Sequence, residues 1–154
     1  MINPKGYDMI WPMKPVATLI IESDVHQLAR VREFVAETAF QLTNHMDAID
    51  DLVLALNEAV TNVIVHGYED TPGTIRVEVG LEQNALFVVL SDQAPAYNPA
   101  EAPVPDITLP LDQRKPGGLG VHMMRHLTDT LLYQRTPDGE NRLTLIKYIP
   151  GDEK

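Results

Sequence analysis

The spacing of apolar positions changes several times along the chain, and each change predicts an element. Val16 to Ile21 is a β-branched run opened by Pro15 and reads as a short strand. Asp24 followed three residues later by Gln27 resembles a capping box, after which Leu28, Val31, Val35, Ala39 and Leu42 recur at helical spacing. Asn44 to Asp47 interrupts the pattern. A longer helical stripe then runs through Ile49, Leu52, Val53, Leu56, Val60, Val63 and Ile64 and stops at Gly67. Two strands follow. Thr74 to Leu81 alternates through Ile75, Val77 and Val79, and Ala85 to Ser91 contains the solid run LFVVL expected of a strand buried on both faces. Glu82-Gln83-Asn84 supplies the hairpin turn between them.

Gln93 to Pro116 carries prolines at 95, 99, 103, 105, 110 and 116 with little periodicity, so neither helix nor ladder strand is sustained there. Too few residues remain beyond it for a second domain, and a lid or binding loop is expected instead of a linker. Gly117-Gly118-Leu119-Gly120 opens a helix with apolar Val121, Met124 and Leu127. Thr130 to Arg135 and Leu143 to Ile149 read as strands about a Pro137-Asp138-Gly139 turn. The order β-α-α-β-β-loop-α-β-β, without internal repeat, predicts an α/β (α+β) two-layer sandwich with a mostly antiparallel sheet and helices on one face. One domain over 1–154 is expected, with an N-terminal extension at 1–14 and a lid at about 93–116.

Composition narrows the chemistry. With 12 Lys+Arg against 22 Asp+Glu the formal net charge is −10, which opposes broad binding to a nucleic-acid backbone. The chain has no cysteine, so disulfide scaffolds, thiolate zinc sites and cysteine nucleophiles are excluded. Met1 to Lys14 lacks an apolar core of the signal-peptide kind, and no later run approaches the roughly 20 apolar residues of a membrane helix. A cytoplasmic protein without membrane contact is expected.

At about 100° per residue, Glu58 falls opposite the centre of the second helix's apolar stripe, with Asn62 one turn on beside it. Glu-x-x-x-Asn pairs are common on solvated faces. Here, however, the neighbours Ala55, Ala59, Thr61 and Val65 are small or apolar, so something is expected to cover this face. A carboxylate beside an amide can handle a proton and ligate a hard cation such as Mg²⁺. Asp92 ends the buried strand at the rim of the sheet, as either a site carboxylate or a turn-initiating Asp. Gly117, Gly118 and Gly120 permit close backbone approach at a helix N-terminus, where a phosphate would be stabilised, although such runs also serve as loop punctuation.

NEAVTNVIVHGY (Asn57 to Tyr68), SDQAPAYNP (Ser91 to Pro99) and GGLGVHMMRHLTD (Gly117 to Asp129) together resemble the N, G1 and G2 boxes of the GHKL (histidine-kinase-like) ATP-binding fold. More narrowly they resemble bacterial anti-sigma-factor serine/threonine kinases of the RsbW and SpoIIAB type, from about Val16 to Tyr148. The resemblance implies Glu58 as general base, Asn62 as Mg²⁺ ligand, and Asp92 as acceptor from the adenine amino group. It also implies Gly118 and Gly120 as phosphate-holding glycines, with Gly117 and Leu119 in the same turn. ATP and Mg²⁺ are the implied cofactors; a sigma factor, an anti-anti-sigma STAS-domain protein and a second copy of the chain are the implied partners. The family's Asp-x-Gly-x-Gly is here Asp92-Gln93-Ala94-Pro95-Ala96. That departure motivates a rival reading, a module that sequesters a partner without binding nucleotide or transferring phosphate.

Other signals stay open. Arg114 and Lys115 can reach terminal phosphates or stand as solvated lid residues. His66, one turn past Asn62, can contact a nucleotide or simply favour a helix C-terminus. His122 and His126 have zinc-compatible spacing but lack the Glu of His-Glu-x-x-His, and read as structural or solvent-facing. Trp11 packs on the domain or on a partner.

Overall fold

The computed structural model describes residues 13–98, 108, 110 and 118–150. Five strands, β1 (Ala17–Glu22), β2 (Thr74–Glu82), β3 (Ala85–Asp92), β4 (Thr130–Arg135) and β5 (Asn141–Tyr148), form one sheet in the order β1-β2-β3-β5-β4. Every pairing is antiparallel. Three α-helices, α1 (Leu28–Leu42), α2 (Met46–Asn62) and α3 (Gly118–Leu127), pack against it, with a short 3-10 turn and a π turn besides. The two-layer α/β sandwich follows from the alternation of each strand. Val77, Val79, Val88, Leu90 and Leu145 are buried in one cluster with Val31 and Val35 of α1 and Leu52, Leu56 and Val60 of α2. Each such side chain removed from water contributes about 1.5–3 kcal/mol, which makes this interface the main source of stability.

β3 is central, and its apolar run is buried on both faces as expected. On the face away from the main core, Ala85 and Phe87 join Ile146, with Met13, Leu132 and Tyr148 packed around them. Phe87 is fully buried because its ring crosses Gly80: a Cβ at Gly80 would stand 2.5 Å from the ring and 2.9 Å from the Lys14 carbonyl oxygen. The end of the N-terminal extension therefore lies on this face, and Lys14 N–H donates to Glu82 there. The Gln83-Asn84 turn has φ of 49° and 64°, the two positive values of a type I′ hairpin. Neighbouring arginines share a carboxylate on the outer face, where Arg76 and Arg142 both pair with Glu140.

Three local expectations change. Asp24 caps a 3-10 turn, Val25–Gln27, by accepting from His26 N–H, while Gln27 accepts from Arg30 and does not reach back as a capping box requires. The α-helical bonding of α2 ends at Asn62, and Val63–Tyr68 continue as a π turn where a plain helix to Gly67 was expected. β5 begins two residues earlier than its apolar run, because Asn141 and Arg142 pair with β3 and β4 despite being polar. Most of the expected lid, including Arg114 and Lys115, lies outside the described residues, as do Gly117 and Trp11.

Gly80→Ala should lower unfolding free energy by about 1–3 kcal/mol, the cost of overpacking a core whose neighbours are a buried ring and a carbonyl. Urea denaturation with an unchanged slope and a lower midpoint is the expected result.

Candidate functional site

Helix α2 is buried on two sides. One side meets the sheet. The other, carrying the buried Ala55 and Ala59, meets α3, as the small residues there suggested, while Val65, expected on the same covered face, stays 46% exposed. The first turn of α3 approaches so closely that a Cβ at Gly120 would stand 2.7 Å from Glu58 Oε2 and 3.9 Å from Asn62 Oδ1. The glycine run and the Glu-x-x-x-Asn pair, some sixty residues apart in sequence, thus meet at one point. Asn62 Nδ2 is buried there without a hydrogen-bond partner among the described residues. A buried orphan donor favours a site completed by a ligand. The oxygens of Glu58 and the Asn62 amide form a donor set suited to a hard cation.

Asn62 also lines a cavity of about 340 Å³, within the roughly 300–1,000 Å³ range of small-molecule sites. Ala59, His66 and Gly67 wall it from the α2 side, Asp92 and Leu90 from β3, Met124 from α3, and Tyr133, Asn141 and Leu143 from the β4–β5 hairpin. The lining is largely apolar, with Asp92 as its carboxylate. His66 reaches this wall as an exposed side chain. Gly118 and Leu119 open α3 beside Gly120.

Asp92 is 7% exposed. Its Oδ1 accepts from Ala94 N–H and from Asn141 Nδ2, each at 2.9 Å. Burial nevertheless pushes its carboxyl above the ordinary carboxylate value, against the pull of those donors and of the Arg135 charge. The loop leaving Asp92 is held on its other side by Tyr68. That hydroxyl donates to the Thr74 carbonyl and accepts from Gln93 N–H, both at 2.8 Å.

Ala94 and Ala96 stand where the related pattern has glycines. Neither has positive φ, so alanine is unstrained at both positions. Ala94 is 3% exposed and packs toward Gly67, where a Cβ would meet its methyl at 3.0 Å. The pair trades one methyl for another, and the cavity stays open. Sequence reasoning missed Asn141, Tyr133, Arg135 and Tyr68. Asn141 bonds Asp92 and Tyr68 bonds Gln93, while Tyr133 and Arg135 act on Asp92 through Asn141; strand register and the π turn bring them there and leave no local signature. His122 and His126 lie outside this constellation and stack on each other, ring centroids 6.2 Å apart.

An α/β sandwich with an apolar cavity between helices and sheet, closed by a carboxylate at a strand end and a glycine-led helix, is the architecture of a nucleotide-binding ATPase domain. Over residues 21–147 the chain matches the histidine kinase-like ATPase domain, and it belongs to that family. Within the family, similar proteins include the anti-sigma F factor of Thermoanaerobacter sp. (strain X514), 32% identical over 123 residues covering 79% of this chain and 85% of that protein. Serine/threonine-protein kinase BtrW of Bordetella bronchiseptica (strain ATCC BAA-588 / NCTC 13252 / RB50) is 35% identical over 100 residues, 63% of this chain and 68% of its own. Serine-protein kinase RsbW of Bacillus cereus (strain AH820) is 27% identical over 137 residues, 86% and 84% of the two chains. Among the described residues no helix is long and apolar enough to cross a membrane.

The raised carboxyl of Asp92 sets the sign of its contribution to stability. The folded state holds this proton more tightly than the unfolded chain, so the contribution is present at low pH and is lost as pH rises through the raised value. Asp92→Asn should therefore melt no earlier than the parent at neutral pH and should lack this component of the pH slope. Thermal melts from acidic to neutral pH test both points.

Proposed function

We propose that this protein is an ATP- and Mg²⁺-dependent protein serine kinase that phosphorylates a STAS-domain anti-anti-sigma partner and, unphosphorylated partner being absent, binds a sigma factor. The observation that carries the reading is the meeting of Glu58, Asn62 and Gly120 at the edge of the Asp92 cavity. The names of the relatives supply the sigma factor and the serine-kinase class, and the STAS-domain partner is the proposal's own addition. The whole chain would act as one domain, as a cytoplasmic homodimer, with 93–116 as its lid.

Asp92 would accept a hydrogen bond from the adenine amino group, while Val63, Leu90 and Met124 offer apolar surface to the ring. The glycine-led turn from Gly117 through Gly120 would lie along the phosphates, with Arg114 and Lys115 reaching terminal oxygens and His66 at the cavity wall. Asn62, with its amide oxygen beside Glu58, would hold Mg²⁺, which when bound neutralises phosphate charge during transfer. Glu58 would take the proton of the partner's serine hydroxyl as that oxygen bonds to the γ-phosphorus and the bond from this phosphorus to the β,γ-bridging oxygen breaks, releasing ADP. Most of the rate would come from positioning and from charge. A new phosphate adds about −1.5 to −2 charges next to a chain of net charge −10, which favours release of the product. The rival sequestering module drew on the lost glycines; the negative φ of both alanines and the open cavity support the nucleotide reading instead.

Two variants separate chemistry from binding. Glu58→Gln should slow single-turnover transfer to a STAS-domain substrate by about 10²–10⁴, the usual worth of a positioned base, with calorimetric ATP affinity little changed. Asn62→Ala should weaken Mg²⁺-dependent ATP binding and transfer together. If the parent protein binds no ATP but still captures its partner, the sequestering module is the correct reading.

Gly120→Ala tests the close contact. Alanine is favoured over glycine in a helix by roughly 0.5–1 kcal/mol. Its methyl would collide with the mobile end of the Glu58 side chain, so the fold survives and the carboxylate moves. The expected outcome is a melting temperature equal to or above the parent's, with transfer slowed at least about tenfold.

A further inference from the structure

Asn141 is 6% exposed and stands at a crossing of two ladders, opposite Asp92 across β3–β5 and opposite Arg135 across β4–β5. Both ends of its amide are engaged. Nδ2 donates to Asp92 Oδ1 at 2.9 Å, to the Ala94 carbonyl at 2.7 Å and, more weakly, to the Pro95 carbonyl at 3.4 Å. Oδ1 accepts from the Arg135 guanidinium at 2.8 Å and from the Tyr133 hydroxyl at 2.5 Å.

The chemistry of these partners permits one orientation of the amide. A guanidinium can only donate, so the amide oxygen must face Arg135; an ionised carboxylate can only accept, so the NH₂ must face Asp92. Arg135 also reaches the Ala94 carbonyl at 3.5 Å, which ties the same loop from a second direction. Among the described residues, the hydrogen bonds to the Asp92 carboxylate all fall on Oδ1. Oδ2 is left to accept from a ligand.

We infer that Asn141, oriented by Arg135 and Tyr133, is the positioning residue that makes this cavity select purines carrying an exocyclic 6-amino group. It fixes which Asp92 oxygen is open and pins the Ala94–Pro95 carbonyls at the cavity rim. A 6-oxo purine would turn an acceptor toward the open oxygen, which has no proton to offer it, and both groups would lose their partners on desolvation. The inference rests on the nucleotide reading of the cavity. It assigns the discrimination to Asp92 acting through a residue that need not touch the base.

The test is calorimetric titration of the full chain with ATP and with ITP, which differs in bearing a 6-oxo group, alongside melting temperatures without nucleotide. The parent should prefer ATP. Asn141→Leu, similar in shape but without hydrogen bonds, should reduce the ATP-to-ITP affinity ratio at least about tenfold. Arg135→Met removes the anchor at an exposed side chain that makes no hydrogen bond to Asp92, so it keeps the test open if Asn141→Leu does not fold; it should reduce the same ratio by a smaller factor. A lower melting temperature with an unchanged ratio in both variants would make Asn141 merely structural and overturn the inference. A parent that binds ATP without preference over ITP would also overturn it. Binding of neither nucleotide by the parent would instead remove the nucleotide reading itself, and this inference with it.

Discussion

The site depends on how closely α3 can approach α2. An ordinary amphipathic helix buries a narrow stripe, but α2 buries a wide arc, since Ala55 and Ala59 beside Leu52 and Leu56 are as inaccessible as those leucines. Small side chains let the helices meet, and at the contact a Cβ on Gly120 would displace the Glu58 carboxylate. The apolar packing of Val121 and Met124, each 1% exposed, supplies the stability that holds α3 in place. The polar side chains at the edge of this interface therefore sit on helices, Glu58 and Asn62 on α2, opposite Gly120 in the first turn of α3. That arrangement holds the Glu58 carboxylate against the first turn of α3, the geometry the proposed transfer requires.

A second constraint acts at the end of β3. The central strand is buried on both faces, so a carboxylate at its end is buried too, at a cost seen in the raised proton affinity of Asp92. The surrounding donors offset only part of that cost. A fold selected for stability alone would favour a neutral residue here. The retained charge has a use once something in the cavity donates to it, because the burial that weakens the apo protein strengthens a hydrogen bond made there.

Much of this was legible from residue spacing. Both long helices, the β2–β3 hairpin and the double burial of LFVVL follow from periods of 3.6 and 2 and from turn chemistry. Glu58 and Asn62 stood out because Ala55 and Ala59 occupy positions where a solvated face would carry charge. The helpers of Asp92 did not stand out. Asn141 lies 49 residues away, and its role exists only in the β3–β5 register, to which Asn141 and Arg142 themselves contribute no apolar signal. The alanines of the Asp92 loop looked like obstacles in sequence. In the fold Ala94 fills space above Gly67, a compensation invisible until the two segments are seen in contact.

The π turn after Asn62 links these two constraints. A wider helical turn, bonded one residue further along the chain, changes the direction in which Val63–Tyr68 present their side chains relative to a continued α-helix. His66 and Gly67 thereby wall the cavity, while Tyr68 turns back into the core, 7% exposed, with its hydroxyl on Thr74 and Gln93. The chain then leaves through Glu69 at φ 55° and ψ −122°, a conformation costly for a residue with a side chain, on the order of 1–3 kcal/mol. Tyr68 helps to hold that conformation because its ring packs where any side chain at position 73 would lie, which requires glycine there. The strain thus lies between the residue proposed to hold the metal and the loop that carries Asp92. Relaxing it into an ordinary helix end would shift His66 and release Gln93, and the two halves of the site would lose their common frame.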